Sequence, residues 1–190
     1  MKKIVCLFIG VFTCVQLFAQ GVGFKSISLK EALEQAKAQG KMVFVDCYTT
    51  WCGPCKMMAE QVFPQKEAGD FFNTHFVNVK FDMEKGEGKE LSTRFKIRAY
   101  PTFLLLEPDG TERYRIVGGG ELEEFIERVS RGLQEKNSLP VLDKEYTTGK
   151  MSKRRMLDLV MTLQDAYDAD RLKVVADELV KRLTFNEKVS

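Results

Sequence analysis

The chain has 190 residues, of which 44% are hydrophobic and 29% charged, and its formal net charge is +2. That balance is ordinary for a folded globular protein and excludes a disordered chain, while a charge so close to zero names no anionic partner. Neither a Lys/Arg block nor a basic stretch interleaved with aromatics occurs, so nucleic acid is not expected as a partner.

The chain opens with a segment that has the form of a secretory signal. Lys2 and Lys3 give a basic start, Ile4 to Phe18 is almost wholly apolar, and Ala19-Gln20 offers a small-residue exit. Cleavage is expected after Ala19, which assigns residues 1–19 to the signal. The apolar run falls short of the roughly 20 residues a spanning helix needs, so an uncleaved anchor is the lesser reading. A lipid-bearing Cys14 is disfavoured because Val11-Phe12-Thr13 lacks small residues before it. Cleavage removes Cys6 and Cys14 and leaves Cys47, Cys52 and Cys55. Such a set makes no disulfide scaffold, so a pair kept in an oxidising compartment is expected to be chemical and not structural.

Ser28-Leu29-Lys30-Glu31 is a capping-box signature, and Leu29, Leu33 and Ala36 carry an apolar helical face to Gly40. Met42 to Cys47 is apolar with little alternation, as in a strand buried on both faces. Lys56 to Val62 suits a helix that Pro64 ends or bends, and Ala68 to Thr74 suits a second short one. Phe76 to Asp82 alternates as a strand, Lys89 to Phe95 suits a short helix, and Thr102 to Glu107 is another buried strand. Pro108-Asp109-Gly110 turns the chain into a hairpin partner over Glu112 to Val117. Gly118-Gly119-Gly120 breaks that strand, and Glu121 to Lys136 forms a helix with Leu122, Phe125, Ile126 and Val129 inward. This order predicts an α/β domain with a mixed central sheet and helices on both faces.

Asn137-Ser138-Leu139-Pro140 reads as a boundary, followed by a helical extension over residues 141–190. Met156, Leu157, Leu159, Val160 and Leu163 repeat at helical spacing, as do Leu172, Val175, Leu179 and Leu183, with Tyr167 to Asp170 between them. A helical hairpin is expected. Two helices bury little alone, so they must dock on the main domain, pair with another chain or begin a longer array.

Trp51-Cys52-Gly53-Pro54-Cys55-Lys56 carries the chemistry. Two closely spaced thiols between a strand-like and a helix-like run suit a dithiol that cycles between reduced and disulfide forms. Structural zinc needs four ligands, and Cys47 and His75 supply no second pair. Cysteine-protease chemistry needs a histidine base, and His75 has no supporting motif; it reads as solvated or capping. No metal and no cofactor are expected.

Val45 to Lys56 matches the active-site signature of the thioredoxin family, Arg98 to Phe103 its cis-proline segment, and Val117-Gly118 its later glycine. The three occur in the family's order, so the region 24–136 resembles a thioredoxin domain, and the helical extension lies outside the resemblance. The stretch between Phe63 and Phe76 is longer than in minimal cytosolic members and resembles secreted ones. The resemblance implies a thioredoxin fold and thiol–disulfide exchange with proteins. It places Cys52 at a helix N-terminus, where free N–H groups and the helix dipole favour a thiolate, and makes Cys55 the resolving sulfur. Pro54 suits the first turn, where its missing N–H costs nothing. Asp46, inside an apolar strand, is expected to be hard to ionise. The family gives its position a proton-transfer role toward the resolving cysteine, with Lys80 as the partner lysine. A strand-end Asp and a surface Lys are the bland alternatives. Tyr100-Pro101 is implied to be a cis peptide beside the dithiol. The implied substrate-binding residues are Trp51, Gly53, Pro54, Tyr100, Pro101 and Gly118. Cys47, where the family usually carries a bulky apolar residue, reads as a small buried hydrophobe.

The Gly-Pro pair between the cysteines resembles the reducing members of the family. A periplasmic reductant of protein disulfides, recharged by a membrane-bound electron donor, is therefore expected. The alternatives are a periplasmic oxidant or isomerase, and a non-enzymatic adaptor that uses the fold and the helical tail for protein binding.

Overall fold

The structure is a computed structural model that describes residues 21–183. The expected signal with Cys6 and Cys14, and residues 184–190, lie outside the described residues. Five strands form one sheet: β1 (Phe24–Lys25), β2 (Met42–Tyr48), β3 (Phe76–Asp82), β4 (Thr102–Leu106) and β5 (Glu112–Val117). Their order across the sheet is β1-β3-β2-β4-β5, parallel from β1 to β2 and antiparallel from β2 to β5. The sheet is thus mixed, as the element order predicts.

The helices of this domain are α1 (Leu29–Gln39), α2 (Gly53–Met57), α3 (Lys66–His75), α4 (Glu87–Arg94) and α5 (Leu122–Leu133). Local chemistry sets their limits. The Ser28 hydroxyl accepts the Glu31 N–H at 3.2 Å while the Glu31 carboxylate accepts the Ser28 N–H at 2.8 Å, which completes the capping box. Gly40, at φ +63°, ends α1 in the left-handed conformation that glycine adopts without a Cβ clash. Helix α2 runs directly into a π-helical turn, Met58–Val62, before Pro64.

Strand alternation divides the interior into two cores. Val43, Val45 and Cys47 face Leu29, Ala32 and Ala36 of α1 and Leu91 of α4. Phe44 faces the other way, into Met58, Phe72, Phe103 and Phe125. Phe44 stacks on Phe103 at 5.5 Å and meets Phe72 at 4.7 Å, so phenylalanines fill this second core. Strand β1 is too short for periodicity to reveal it, yet it covers the edge of β3. Asn78 is buried there, against the alternation that the sequence suggests, with its amide donating to Asn73 Oδ1 at 3.0 Å.

Gly132 shows how closely α5 sits on the sheet. A Cβ on it would lie 2.7 Å from Tyr114 Cγ and 2.8 Å from Leu105 Cδ1. Both neighbours are fully buried, so neither can yield cheaply. Gly132→Ala is expected to lower stability by about 1–3 kcal/mol despite alanine's better helix propensity, measured as the shift in a chemical denaturation curve.

The extension contains three helices, α6 (Leu139–Thr147), α7 (Lys153–Asp165) and α8 (Ala169–Arg182). The expected hairpin is α7–α8, and α6 is an addition to it. Pro140 lies in the first turn of α6, the one place a helix accepts proline freely, so a helix starts within the stretch that reads as a boundary. Leu142, Met156, Leu159, Leu163 and Val175 give the extension its own core. Of the three fates open to it, the structure shows docking on the main domain. Asp165 of α7, buried, pairs with Arg128 and Arg131 of α5, and the Tyr114 hydroxyl donates to it at 2.8 Å. No helix among the described residues is long and apolar enough to cross a membrane.

Candidate active site

Strand β2 delivers the chain to the C-terminal edge of the sheet, and the next residues hold the two thiols. Cys52 is the N-cap of α2 and is joined to Cys55 by a disulfide, with the Cα atoms 5.3 Å apart. The spacing explains the closeness: residues at the cap and one turn on lie on one face of a helix. The Cys55 N–H donates to Cys52 Sγ at 3.1 Å, so one of the donors left free at a helix start already points at the sulfur. Pro54 occupies the first turn and gives up no intrahelical bond. Both cysteines are buried in this disulfide form.

The Tyr100–Pro101 peptide is cis. The Gly118 N–H donates to the Pro101 carbonyl at 2.8 Å, and Gly118 has φ +84°, where a Cβ would be strained whatever the space. Trp51 is 63% exposed and stands edge-on to Tyr100, ring centroids 5.8 Å apart. Its indole N–H donates to Glu84 Oε1 at 3.0 Å. The sequence gives no sign of that acidic anchor, because it comes from the turn after β3.

Alternation along β2 puts Asp46 on the same face as Phe44, toward α2, and Cys47 on the other. Asp46 is 6% exposed, and its Oδ1 has no hydrogen-bond partner among the described residues. Burial pushes its pKa up to about 7, and the positive charge of Lys80 opposes the shift. Lys80 is Asp46's register partner on β3, but it is exposed, and its ammonium lies 5.6 Å from the ring centre of Phe24. Asp46, Lys80, Cys55, Lys56 and Thr49 line one cleft of about 250 Å³. Thr49 was not anticipated. Its buried hydroxyl likewise has no hydrogen-bond partner among the described residues.

Cys47 is fully buried among the α1 and α4 side chains, and burial raises its pKa well above the ordinary thiol value. It stands on the far face of the sheet from the dithiol. His75 ends α3 and its Nδ1 lies 2.8 Å from the Phe71 carbonyl, away from the two sulfurs.

Residues 29–132 match the family described as the thioredoxin-like domain, more than half of the chain. The chain belongs to the thioredoxin-like family. It is a thioredoxin-like thiol–disulfide oxidoreductase in class, with Cys52–Cys55 as the disulfide at its centre. Among curated thioredoxin-like relatives, the thiol:disulfide interchange protein DsbD of Pseudomonas fluorescens is 34% identical over 103 residues, 53% of this chain but only 18% of that protein. Thioredoxin Asp f 28 of Aspergillus fumigatus is 38% identical over 90 residues, 46% of this chain and 78% of that one. A Bacteroides thetaiotaomicron protein, provisionally described as a disulphide-isomerase, has a solution structure that matches with TM-score 0.56 at 45% identity, covering 62% of this chain and 97% of that one.

Proposed function

We propose that this protein is a periplasmic reductant of protein disulfides, recharged by a membrane-bound electron donor. The observation that carries the reading is the Cys52–Cys55 disulfide, closed around Gly53-Pro54 at a helix N-terminus. In this reading residues 1–19 are a secretion signal cleaved after Ala19, 24–136 the redox domain and 141–190 its helical extension. The likeness to a segment of DsbD, named as a thiol:disulfide interchange protein, supports the exchange with other thiols.

The reduced protein presents Cys52 as a thiolate, held by the Cys55 N–H. Cys52 Sγ attacks one sulfur of a client disulfide; that S–S bond breaks and the client's other sulfur leaves as a thiolate. Asp46 takes the proton from Cys55, which attacks Cys52 Sγ, breaks the mixed disulfide and releases the second client sulfur. The client gains two electrons, and the Cys52–Cys55 bond forms. Trp51, Gly53, Pro54, Tyr100, Pro101 and Gly118 make the surface on which the client segment lies.

A disulfide isomerase is the second reading, favoured by the description of the Bacteroides protein. The redox potential separates the two. Equilibration against glutathione or dithiothreitol buffers, followed by alkylation, is expected to give a value near the roughly −270 mV of reducing thioredoxins. A value near about −180 mV favours the isomerase, and one near about −120 mV makes the protein an oxidant.

A further inference from the structure

The helical extension has no counterpart in the redox chemistry just described, yet its docking contact does not stop at the domain surface. Asp165 is the last residue of α7, where a helix dipole disfavours a carboxylate. It is nevertheless buried, and two guanidinium groups from α5 meet it. The two arginines differ in what they do next. Arg131 spends its side chain on Asp165, donating from Nε at 3.2 Å and from Nη2 at 2.9 Å. Arg128 donates to Asp165 from Nε at 2.8 Å and continues, giving Nη2 to the Val117 carbonyl at 2.8 Å and Nη1 to the Gly118 carbonyl at 3.4 Å. Gly118 in turn donates its N–H to Pro101 O at 2.8 Å.

We propose that α6–α8 act as a buttress for client docking: Asp165 fixes the Arg128 fork, which fixes the two carbonyls at the end of β5 and so the glycine that holds the cis-proline loop. Simple adhesion of the tail needs only Arg131 and Tyr114. A guanidinium that also reaches the backbone beside the docking loop couples the tail to the site. Only a planar fork can serve a carboxylate on one edge and two carbonyls on the other. Arg128 and Asp165 are positioning residues here, and neither is asked to touch the sulfurs. The proposal rests on the reading that Pro101 and Gly118 hold the client segment.

Steady-state reduction of insulin, a protein disulfide, with dithiothreitol as the electron source, is compared with single-turnover reduction of 5,5′-dithiobis(2-nitrobenzoate), too small to need the loop, by the prereduced protein, in full-length Arg128→Met and Arg131→Met. Arg128→Met is expected to raise KM for insulin about three- to tenfold, the worth of one hydrogen bond, with kcat and the small-disulfide rate within about twofold. Arg131→Met should leave the insulin KM and the small-disulfide rate unchanged within about twofold while lowering the denaturation midpoint. Arg128→Lys, which keeps a charge for Asp165 but cannot bridge both partners, is expected to show the same rise in KM and decides the matter where the methionine variant does not fold. Equal effects of the Arg128 and Arg131 changes, or proportional loss on both substrates, would overturn the proposal, as would an unchanged insulin KM in Arg128→Met. A wild-type protein inert toward insulin would instead remove the functional reading beneath it.

Discussion

Cys52→Ser is expected to abolish disulfide reduction, by more than about a thousandfold, whereas Cys55→Ser stops after half a turnover and accumulates covalent protein–client adducts. The asymmetry follows from the geometry. Cys52 is the cap of α2, and it is this sulfur that receives the Cys55 N–H at 3.1 Å. Its negative charge in the reduced state is therefore the one that the helix start can stabilise. Cys55 lies one turn inside the helix, where it faces the Asp46 cleft and not the loop that would hold a client. With Cys55 replaced, the mixed disulfide has no partner to resolve it. Cys47 cannot substitute, because it lies in the core on the opposite face of the sheet and its thiol is held protonated by burial. Non-reducing electrophoresis of the Cys55→Ser protein mixed with a disulfide client, with and without dithiothreitol, reads the outcome. Adducts formed by Cys52→Ser and not by Cys55→Ser would reverse the two roles. A Cys52→Ser variant that kept its biological role would favour the adaptor reading.

Most of the domain is legible in the sequence because its signals are local. The capping box at Ser28 and Glu31, the uninterrupted apolar runs of β2 and β4 and the Pro108-Asp109-Gly110 turn each act within a few residues, and each stands where it is expected. What escapes is set by tertiary contact. Strand β1 exists because Phe24 and Lys25 pair with Asn78 and Val79, a partnership no two-residue pattern can announce. Helix α6 hides behind Pro140, since the same residue that breaks a helix interior also opens one. At the site, the alternation of β2 is enough to separate Asp46 from Cys47. The Glu84 anchor of Trp51, the Thr49 hydroxyl and the Arg128 bridge bring together residues up to 37 positions apart, and nothing in their neighbourhoods marks them. Lys80 shows both sides: its place on a strand neighbouring that of Asp46 is legible in the sequence, but its register opposite Asp46 and its place over the Phe24 ring are set by strand pairing that local pattern does not specify.

Asp46→Asn is expected to stabilise the oxidised protein at alkaline pH and to slow the release of clients. In the folded chain the carboxyl titrates at about 7, against 3.8 for an ordinary aspartate, chiefly because burial disfavours its charge. Between those two values the folded state holds a proton that the unfolded state has already lost. The sign follows directly: stability conferred by the neutral carboxyl is complete below the ordinary value and is lost as pH rises through that window, levelling off above the folded-state pKa. Three pKa units correspond to about 4 kcal/mol, which is an upper bound because water entering the cleft would share the charge. The asparagine variant has no proton to lose, so denaturation curves of wild type and variant should converge toward low pH and separate by about 2–4 kcal/mol near pH 8, the variant being the more stable. The gain comes at the expense of proton transfer. Without a carboxylate to accept the Cys55 proton, the resolving step should slow by about a hundredfold and lose its rise across neutrality, while the initial attack by Cys52 keeps its rate. Stopped-flow decay of a preformed mixed disulfide, followed from about pH 5 to 9, isolates that step. An unchanged pH profile in the variant would mean that Asp46 is only a buried strand residue, and the proton must then leave Cys55 by another path.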